Sequence, residues 1–331
     1  MNRRTGFFAT LGFALLFTVP AFARQVIKIA TLAPDGSAWM RELRTAATEV
    51  QTDTQGRVQV KFYPGGVMGS DTVVLRKMRL GQLQGGVLTS SELAALYPDA
   101  AIYSLPFLFD DWSQVDKTRP QIDPLLAKGF EAKGLKMLAV SNIGFAYLMS
   151  IKPLRNRADV TGTKLWIPQN DEIAERTFKL GGISPILLPL GDVFTSLQTG
   201  LVDTVANTPS GAVALQWHGK LRTLLDLPLS FVVVYMVMDI KSWQKLSPAD
   251  QLVVANAFKG AAQRVDANIK GKDAAALAAM KKQGLTVNRL DPVETARWRQ
   301  IGAQVTRNME ADRRISPEML AAIRRAIAGA R

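Results

Sequence analysis

One structural unit occurs twice along this chain. Val74, Met78, Gly81, Leu83 and Ser91 are matched, at a constant offset, by Val193, Leu197, Gly200, Val202 and Ser210. Each copy reads in the same order: apolar residues at helical spacing, a glycine suited to the left-handed residue that ends a helix, an apolar strand, then a polar loop. An echo at so long a period predicts two similar lobes rather than a stacked solenoid. At 331 residues, 47% of them hydrophobic, the chain has enough material for two cores. Two α/β lobes with facing strand ends make a cleft.

The second copy lies in the most informative stretch, Thr161 to Gln216. There Lys164 to Ile167 predicts a short buried strand closed by Pro168, which cannot continue a ladder. Leu201 to Ala206 predicts the next strand and leaves Asn207 at its carboxyl end. Ligands of open α/β sheets sit beyond the carboxyl ends of strands, so Asn207 and Trp166 are candidate cleft residues on position alone.

The rest of the chain fits that frame. Val26 to Ala30 and Val58 to Phe62 alternate as strands. Between them Ser37 caps a helix whose expected stripe is Trp39, Leu43, Ala46 and Val50. Trp39 has the size to line the cleft, but its place on that stripe favours core packing. Leu135 to Met149 and Leu227 to Ile240 predict two long strands that pass between the lobes, with a hinge between them. The expected division is 24–147 plus 233–270 for a discontinuous N-terminal lobe, and 148–232 plus 271–331 for the C-terminal lobe. Ser247-Pro-Ala-Asp250, Asp291-Pro-Val-Glu294 and Ser316-Pro-Glu318 each mark a helix start. The first of these helices ends near Lys259 or continues through Gly260 and Gly271 to Gln283.

Composition removes several kinds of chemistry. Cysteine is absent, and a single histidine, His218, is too little for a zinc site. A lone histidine reads as a surface or hydrogen-bonded structural residue rather than a pH switch. No Gly-x-Ser-x-Gly elbow or glycine-rich phosphate loop is present, and no cofactor is implied. The adjacent acids Asp110-Asp111 and Asp171-Glu172 read as solvated pairs rather than a catalytic couple, although folding can assemble such couples from distant positions. A binding protein is the expectation; a hydrolase is the weaker alternative.

Met1-Asn-Arg-Arg4, an apolar run and Ala21-Phe-Ala23 follow the pattern of a secretory signal peptide over residues 1–23, with a mature start at Arg24. The run is short for a membrane span. Loss of Arg3 and Arg4 would take the formal charge from +13 to +11. The basic residues are scattered without aromatic interleaving, so a solvated basic surface is expected, not a nucleic-acid partner.

Four blocks carry a family resemblance: Gly56-Arg-Val-Gln-Val-Lys-Phe-Tyr-Pro-Gly-Gly-Val-Met-Gly-Ser-Asp71, Leu105-Pro-Phe-Leu-Phe109, Leu197-Gln-Thr-Gly-Leu-Val-Asp203 and Leu246-Ser-Pro-Ala-Asp-Gln251. In this order they resemble the DctP-type solute receptors of tripartite ATP-independent periplasmic (TRAP) transporters. The resemblance implies a two-lobed α/β periplasmic solute-binding protein with hinge-crossing strands and a long helix spanning both lobes. It implies a periplasmic location, closure on one small organic solute (by default a C4-dicarboxylate or related organic acid) and delivery to a pair of membrane permease subunits. A receptor that reports to a signalling partner is the alternative. Some relatives dimerise through a C-terminal helix; the Arg-rich helix after Ser316 argues for exposure and a monomer.

The chain departs from the family pattern at two positions. Where the resemblance implies a carboxylate-binding arginine in a Lys-Ile-Arg-Val-Pro-like strand, Lys164-Leu-Trp-Ile-Pro168 puts Trp166. Where a second arginine follows a Gly-aromatic pair, Gly144-Phe145 is followed by Ala146. Neither replacement can form the two charge-assisted hydrogen bonds of a guanidinium fork. Either the solute is not clamped as an ordinary organic acid, or an arginine has moved, for instance to Arg41 or Arg76, and Trp166 packs the lobe. The candidate ligand-binding residues are Trp166, Asn207, Ser90, Ser91 and Tyr235. Tyr235 is included because a hydroxyl in a buried strand needs a partner.

Overall fold

The computed structural model describes residues 24–330; the leader expected over 1–23 lies outside the described residues. Ten strands are present among them: β1 (Gln25–Thr31), β2 (Val58–Tyr63), β3 (Gly85–Thr89), β4 (Leu135–Ser150), β5 (Leu165–Pro168), β6 (Ile186–Leu188), β7 (Thr204–Asn207), β8 (Thr223–Leu225), β9 (Ser230–Asp239) and β10 (Thr286–Asn288). The twelve α-helices are α1 (Ala38–Asp53), α2 (Asp71–Arg79), α3 (Ser90–Ala94), α4 (Trp112–Ala132), α5 (Arg157–Thr161), α6 (Glu172–Leu180), α7 (Val193–Thr199), α8 (Pro209–Ala214), α9 (Ile240–Gln244), α10 (Pro248–Lys282), α11 (Pro292–Ala311) and α12 (Pro317–Ala328).

The strands join in the order β2-β1-β3-β9-β4-β7-β5-β6, with β8 on β4 and β10 on β8. In the first lobe β1, β2 and β3 run parallel, as helical crossovers require. In the second, β5 runs parallel to β6 and β7. The two expected long strands connect them. β4 pairs with β9 from Leu135–Asp239 to Ala146–Ser230, then with β7 from Tyr147–Asn207 onward. Their ladder slips between Asn142 and Gly144, and Gly144 takes a φ of 128°, a region that a side chain disfavours.

The repeated unit is present in the fold. α2, Gly81 and β3 correspond to α7, Gly200 and β7, and both glycines are left-handed, with φ of 72° and 75°. Val74, Met78 and Leu83, like Val193, Leu197 and Val202, are all buried. Each lobe carries apolar clusters on both faces of its part of the sheet, the layering of an α/β fold.

α10 runs the whole of the longer expected course. Its 35 residues span about 50 Å. Ser247 Oγ accepts from the Asp250 N–H at 3.1 Å to cap its start. Gly260 and Gly271 each weaken a helix by about 1 kcal/mol, and packing on both lobes overrides them. Near the middle of α10 Arg264 Nε donates to Glu42 of α1 at 2.7 Å; further on Asp273 Oδ1 accepts from the Ser210 N–H of α8 at 2.9 Å. Midway, Arg119 of α4 donates through Nη1 to Asp266 at 2.7 Å and to Asn142 of β4 at 2.6 Å.

The last helix does not stay with the second lobe, where 271–331 was expected. α12 packs on α4, and its stripe of Met319, Leu320, Ile323 and Ala326 joins a first-lobe core. Asp99 fixes its start by accepting from both the N–H and Oγ of Ser316 at 2.7 Å. Its apolar periodicity was legible; the surface it covers depends on the path of the chain after α11.

Candidate functional site

The carboxyl ends of β1, β3, β5 and β7 converge on a cavity of about 290 Å³ between the lobes. Thr31, Thr89, Pro168 and Asn207, the last residues of those strands, all line it. Residues 229–234 of the hinge strand β9 and its approach close one side. This is the position that strand-end geometry assigns to a ligand.

The mouth is tied shut by side chains from opposite lobes. Asn170 Nδ2 donates to Glu92 Oε2 at 2.6 Å, and Gln169 Nε2 donates to Thr72 Oγ1 at 2.9 Å. Thr72 Oγ1 donates in turn to Glu92 Oε2 at 3.1 Å. Asn170 and Gln169 follow β5; Thr72 and Glu92 belong to α2 and α3. The structure is therefore of the closed form.

Four of the five candidate residues border this cavity. Asn207 is half-buried, and its Oδ1 accepts from the Thr208 N–H at 2.7 Å, leaving Nδ2 with no protein partner among the described residues. An added Cβ at Gly211 would lie 2.7 Å from that Oδ1, so the glycine makes room for the amide. Ser90 Oγ shares a hydrogen bond with Ser104 Oγ at 3.0 Å, and Ser91 Oγ donates to Thr89 Oγ1 at 3.3 Å. Trp166 lines the cavity, yet its Nε1 donates to the Leu188 carbonyl at 3.0 Å and its ring meets Trp217 edge-on at 5.3 Å. Its indole N–H is thus engaged by the protein.

Tyr235, a candidate from the sequence, lies away from the cavity. It is fully buried, it does not line the cavity, and its hydroxyl donates to the Ala100 carbonyl at 2.8 Å. A backbone acceptor supplied by the neighbouring loop fills the role that had been left to a ligand. His218 also lies outside the lining. Arg41 and Arg76 are exposed and away from the cavity, with Arg41 Nη1 donating to the Gly36 carbonyl at 2.6 Å.

Among the other lining residues, Asp71 and Asp171 carry no cleft signal in the sequence, and the helix stripe favours the core for Trp39. Trp39 packs half-buried against the first-lobe core beside the fully buried Met40 and also borders the cavity, and its Nε1 is buried without a partner. Asp71 and Asp171 complete the set. Asp71 Oδ2 accepts from the N–H and Oγ1 of Thr89, both at 3.0 Å; Asp171 Oδ1 caps α6 by accepting from the Ala174 N–H at 2.9 Å. The second oxygen of each carboxylate has no protein partner among the described residues. Burial pushes both carboxyls up to about 6. The reading of Asp171-Glu172 as a solvated pair holds only for Glu172, which pairs with Arg176 and Arg314.

Comparison with known proteins agrees with this geometry. The family model described as bacterial extracellular solute-binding protein, family 7 (DctP) matches residues 29–312. The chain belongs to that family. Among family 7 relatives, the C4-dicarboxylate-binding periplasmic protein DctP of Rhodobacter capsulatus is 29% identical over 95% of each chain. The sugar acid binding protein DctPAm of Advenella mimigardefordensis, in complex with galactonate, superposes with a TM-score of 0.86. It is 22% identical, over 94% of this chain and all of that one. A TRAP periplasmic solute binding protein from Desulfovibrio salexigens with bound orotic acid gives 0.84 at 22% identity, over 93% and 100%. These likenesses establish the two-lobed fold of family 7 receptors for this chain. Among the described residues no helix is long and apolar enough to cross a membrane, and no group of metal-ligating side chains is present.

Proposed function

We propose that this family 7 chain is the periplasmic solute receptor of a TRAP transporter. It captures one small organic solute between its lobes and hands it to the membrane permease subunits. The observation that carries this reading is the cavity at four strand ends, held shut by Asn170–Glu92 and Gln169–Thr72. Such bonds form only when the lobes are together, so a solute that fills the cavity favours the closed form, and release at the permease requires breaking them. The residues proposed to touch the solute are Asn207, Ser90, Ser91 and Trp166. Asn207 Nδ2 supplies a donor, and Trp166 supplies ring surface but not its N–H. Trp166 and Ala146, both in the cavity wall, are proposed to stand where relatives place carboxylate-binding arginines.

Transport separates this reading from that of a sensor. Cells lacking the receptor gene should lose uptake of the captured solute and regain it with the intact gene. Undiminished uptake in the deletion strain, with a changed transcriptional response to the solute, would favour the sensor.

A further inference from the structure

Among the described residues, neither the cavity nor the space adjoining it at the latch is lined by lysine, arginine or histidine. The charged groups there are all acidic: Asp71 and Asp171 in the cavity wall, Glu92 and Asp192 beside the latch. Arg76 and Lys77, on the same helix as Asp71, do not offset them. Arg76 is exposed, and Lys77 Nζ donates to the Met68 carbonyl at 3.0 Å. Arg176, Lys179 and Arg314 line a separate space beyond Asp171, where Glu172 and Glu175 pair with them. An organic-acid anion drawn into the cavity would lose its water without gaining a counter-charge, which is costly. Asp71 can lower that cost. It is more than nine-tenths buried, Thr89 holds its Oδ2 with two hydrogen bonds, and Oδ1 is left free among the described residues.

We infer that the solute is a monocarboxylic acid with an apolar body, whose carboxyl shares a proton with Oδ1 of Asp71. This inference rests on the receptor reading above and specifies its ligand class. One proton enters from bulk water with each solute captured and returns to it on release, so the pair of carboxyl groups carries one negative charge instead of two. A hydrogen bond between a carboxyl and a carboxylate is of the short, charge-assisted kind. Asp71 suits this task better than Asp171. Burial raises both carboxyls, but only at Asp71 does a second acid, Glu92, add to the rise.

The rest of the wall sets the body of the solute. Trp39, Val87, Ile143, Trp166, Phe178 and Leu215 present hydrocarbon and ring surface. Several hydroxyls of the wall are already committed to the protein: Ser90 to Ser104, Ser91 to Thr89, and Thr177 Oγ1 to the Ile173 carbonyl at 2.7 Å. A polyhydroxylated acid would bury its hydroxyls beside groups that are already paired, and a polar group buried without a partner is costly. A second carboxylate on the solute would add a charge that no cation of this wall offsets. A hydrocarbon or ring body incurs neither penalty.

Isothermal titration calorimetry of the intact mature receptor at pH 6 and pH 8 tests this with four probes: 3-phenylpropanoate, its uncharged analogue 3-phenylpropanol, succinate and D-galacturonate. Repeating each titration in two buffers of different ionisation enthalpy counts the protons taken up. At pH 6, 3-phenylpropanoate is expected to bind at least tenfold more tightly than any of the other three. Its affinity should fall at least tenfold between pH 6 and pH 8, with about one proton taken up per solute at pH 8. Asp71→Asn keeps a carbonyl oxygen for Thr89 and turns an amide N–H toward the solute. Its affinity should change less than threefold between the two pH values and exceed that of wild type at pH 8. Asp171→Asn should retain the proton uptake. An unchanged far-ultraviolet spectrum confirms folding in both; should Asp71→Asn not fold, Asp71→Ser takes its place, with the same loss of pH dependence expected. Tighter binding of any other probe, 3-phenylpropanoate binding without proton uptake in wild type, or proton uptake that survives loss of the Asp71 carboxyl overturns the assignment while leaving a working receptor. Absence of binding by all four probes at both pH values overturns the assignment and counts against solute capture as well.

Discussion

Asn170 reaches across the cleft mouth to Glu92, its amide nitrogen 2.6 Å from Oε2. The two residues lie in different lobes and 78 positions apart in the chain, so their contact records closure itself. A hydrogen bond to a charged acceptor contributes about 1.5–3 kcal/mol, and this one sits at a partly exposed rim where water competes. Asn170→Ala should therefore leave the fold intact, weaken solute affinity by roughly tenfold, and act through faster release, since it removes a bond absent from the open form. Stopped-flow dissociation measures this; an unchanged off-rate would mean that the latch does not hold the closed state.

Asp71 gives a pH dependence of known sign. Burial raises its carboxyl from an ordinary 3.8 to about 6; the adjacent Glu92 adds to the rise, and the two Thr89 hydrogen bonds oppose it. A carboxyl that holds its proton more tightly when folded stabilises the fold at low pH, and that contribution is lost as pH rises through about 6. Ligand-free wild type should gain about 1 kcal/mol relative to Asp71→Asn between pH 7 and pH 5. Denaturant melts of both proteins at the two pH values measure it, and equal slopes against pH would contradict the assignment.

Arg119 should be the most sensitive position outside the cavity. Besides Asp266 and Asn142 it reaches Asp123 at 2.9 Å and the Val140 carbonyl at 3.0 Å, with Tyr103 Oη donating to Asp123 at 2.7 Å. One guanidinium thus joins α4, the hinge strand β4 and α10. Arg119→Ala leaves two acids without their cation and is expected to destabilise the protein by about 3–5 kcal/mol. A loss below about 1 kcal/mol in urea unfolding would show that water repairs the site.

Trp166 separates packing from binding. Trp166→Phe keeps an aromatic wall but strands the Leu188 carbonyl, and should destabilise the second lobe by about 1–3 kcal/mol. Solute affinity should fall less than fivefold, because the indole N–H is already occupied. A loss of affinity beyond a hundredfold without a loss of stability would place that N–H on the ligand instead.

Much of this fold was legible because its signals are local. The Gly81 and Gly200 caps, the Ser37, Ser247 and Ser316 helix starts, and the two long crossing strands all depend on residues close in sequence. What depends on distant packing was not. Trp39 and Met40 are neighbours about 100° apart on one helix, and only the packed sheet decides that Met40 turns to the core. Tyr235 found a backbone carbonyl 135 positions away. Asp171 looked like half of a solvated pair until folding placed it in the cavity wall and left Glu172 outside with two arginines. The destination of α12 was hidden for the same reason: an apolar stripe shows that a helix is covered, not by which lobe.

Native mass spectrometry of the receptor, purified without added solutes and transferred gently from volatile buffer, weighs the central claim most directly. Capture between closing lobes predicts a mass above that of the polypeptide by one small molecule, lost on denaturation and regained when the released solute is added back. A bare polypeptide mass that no solute from the cells' growth medium or extract shifts, at receptor concentrations well above micromolar, would contradict it.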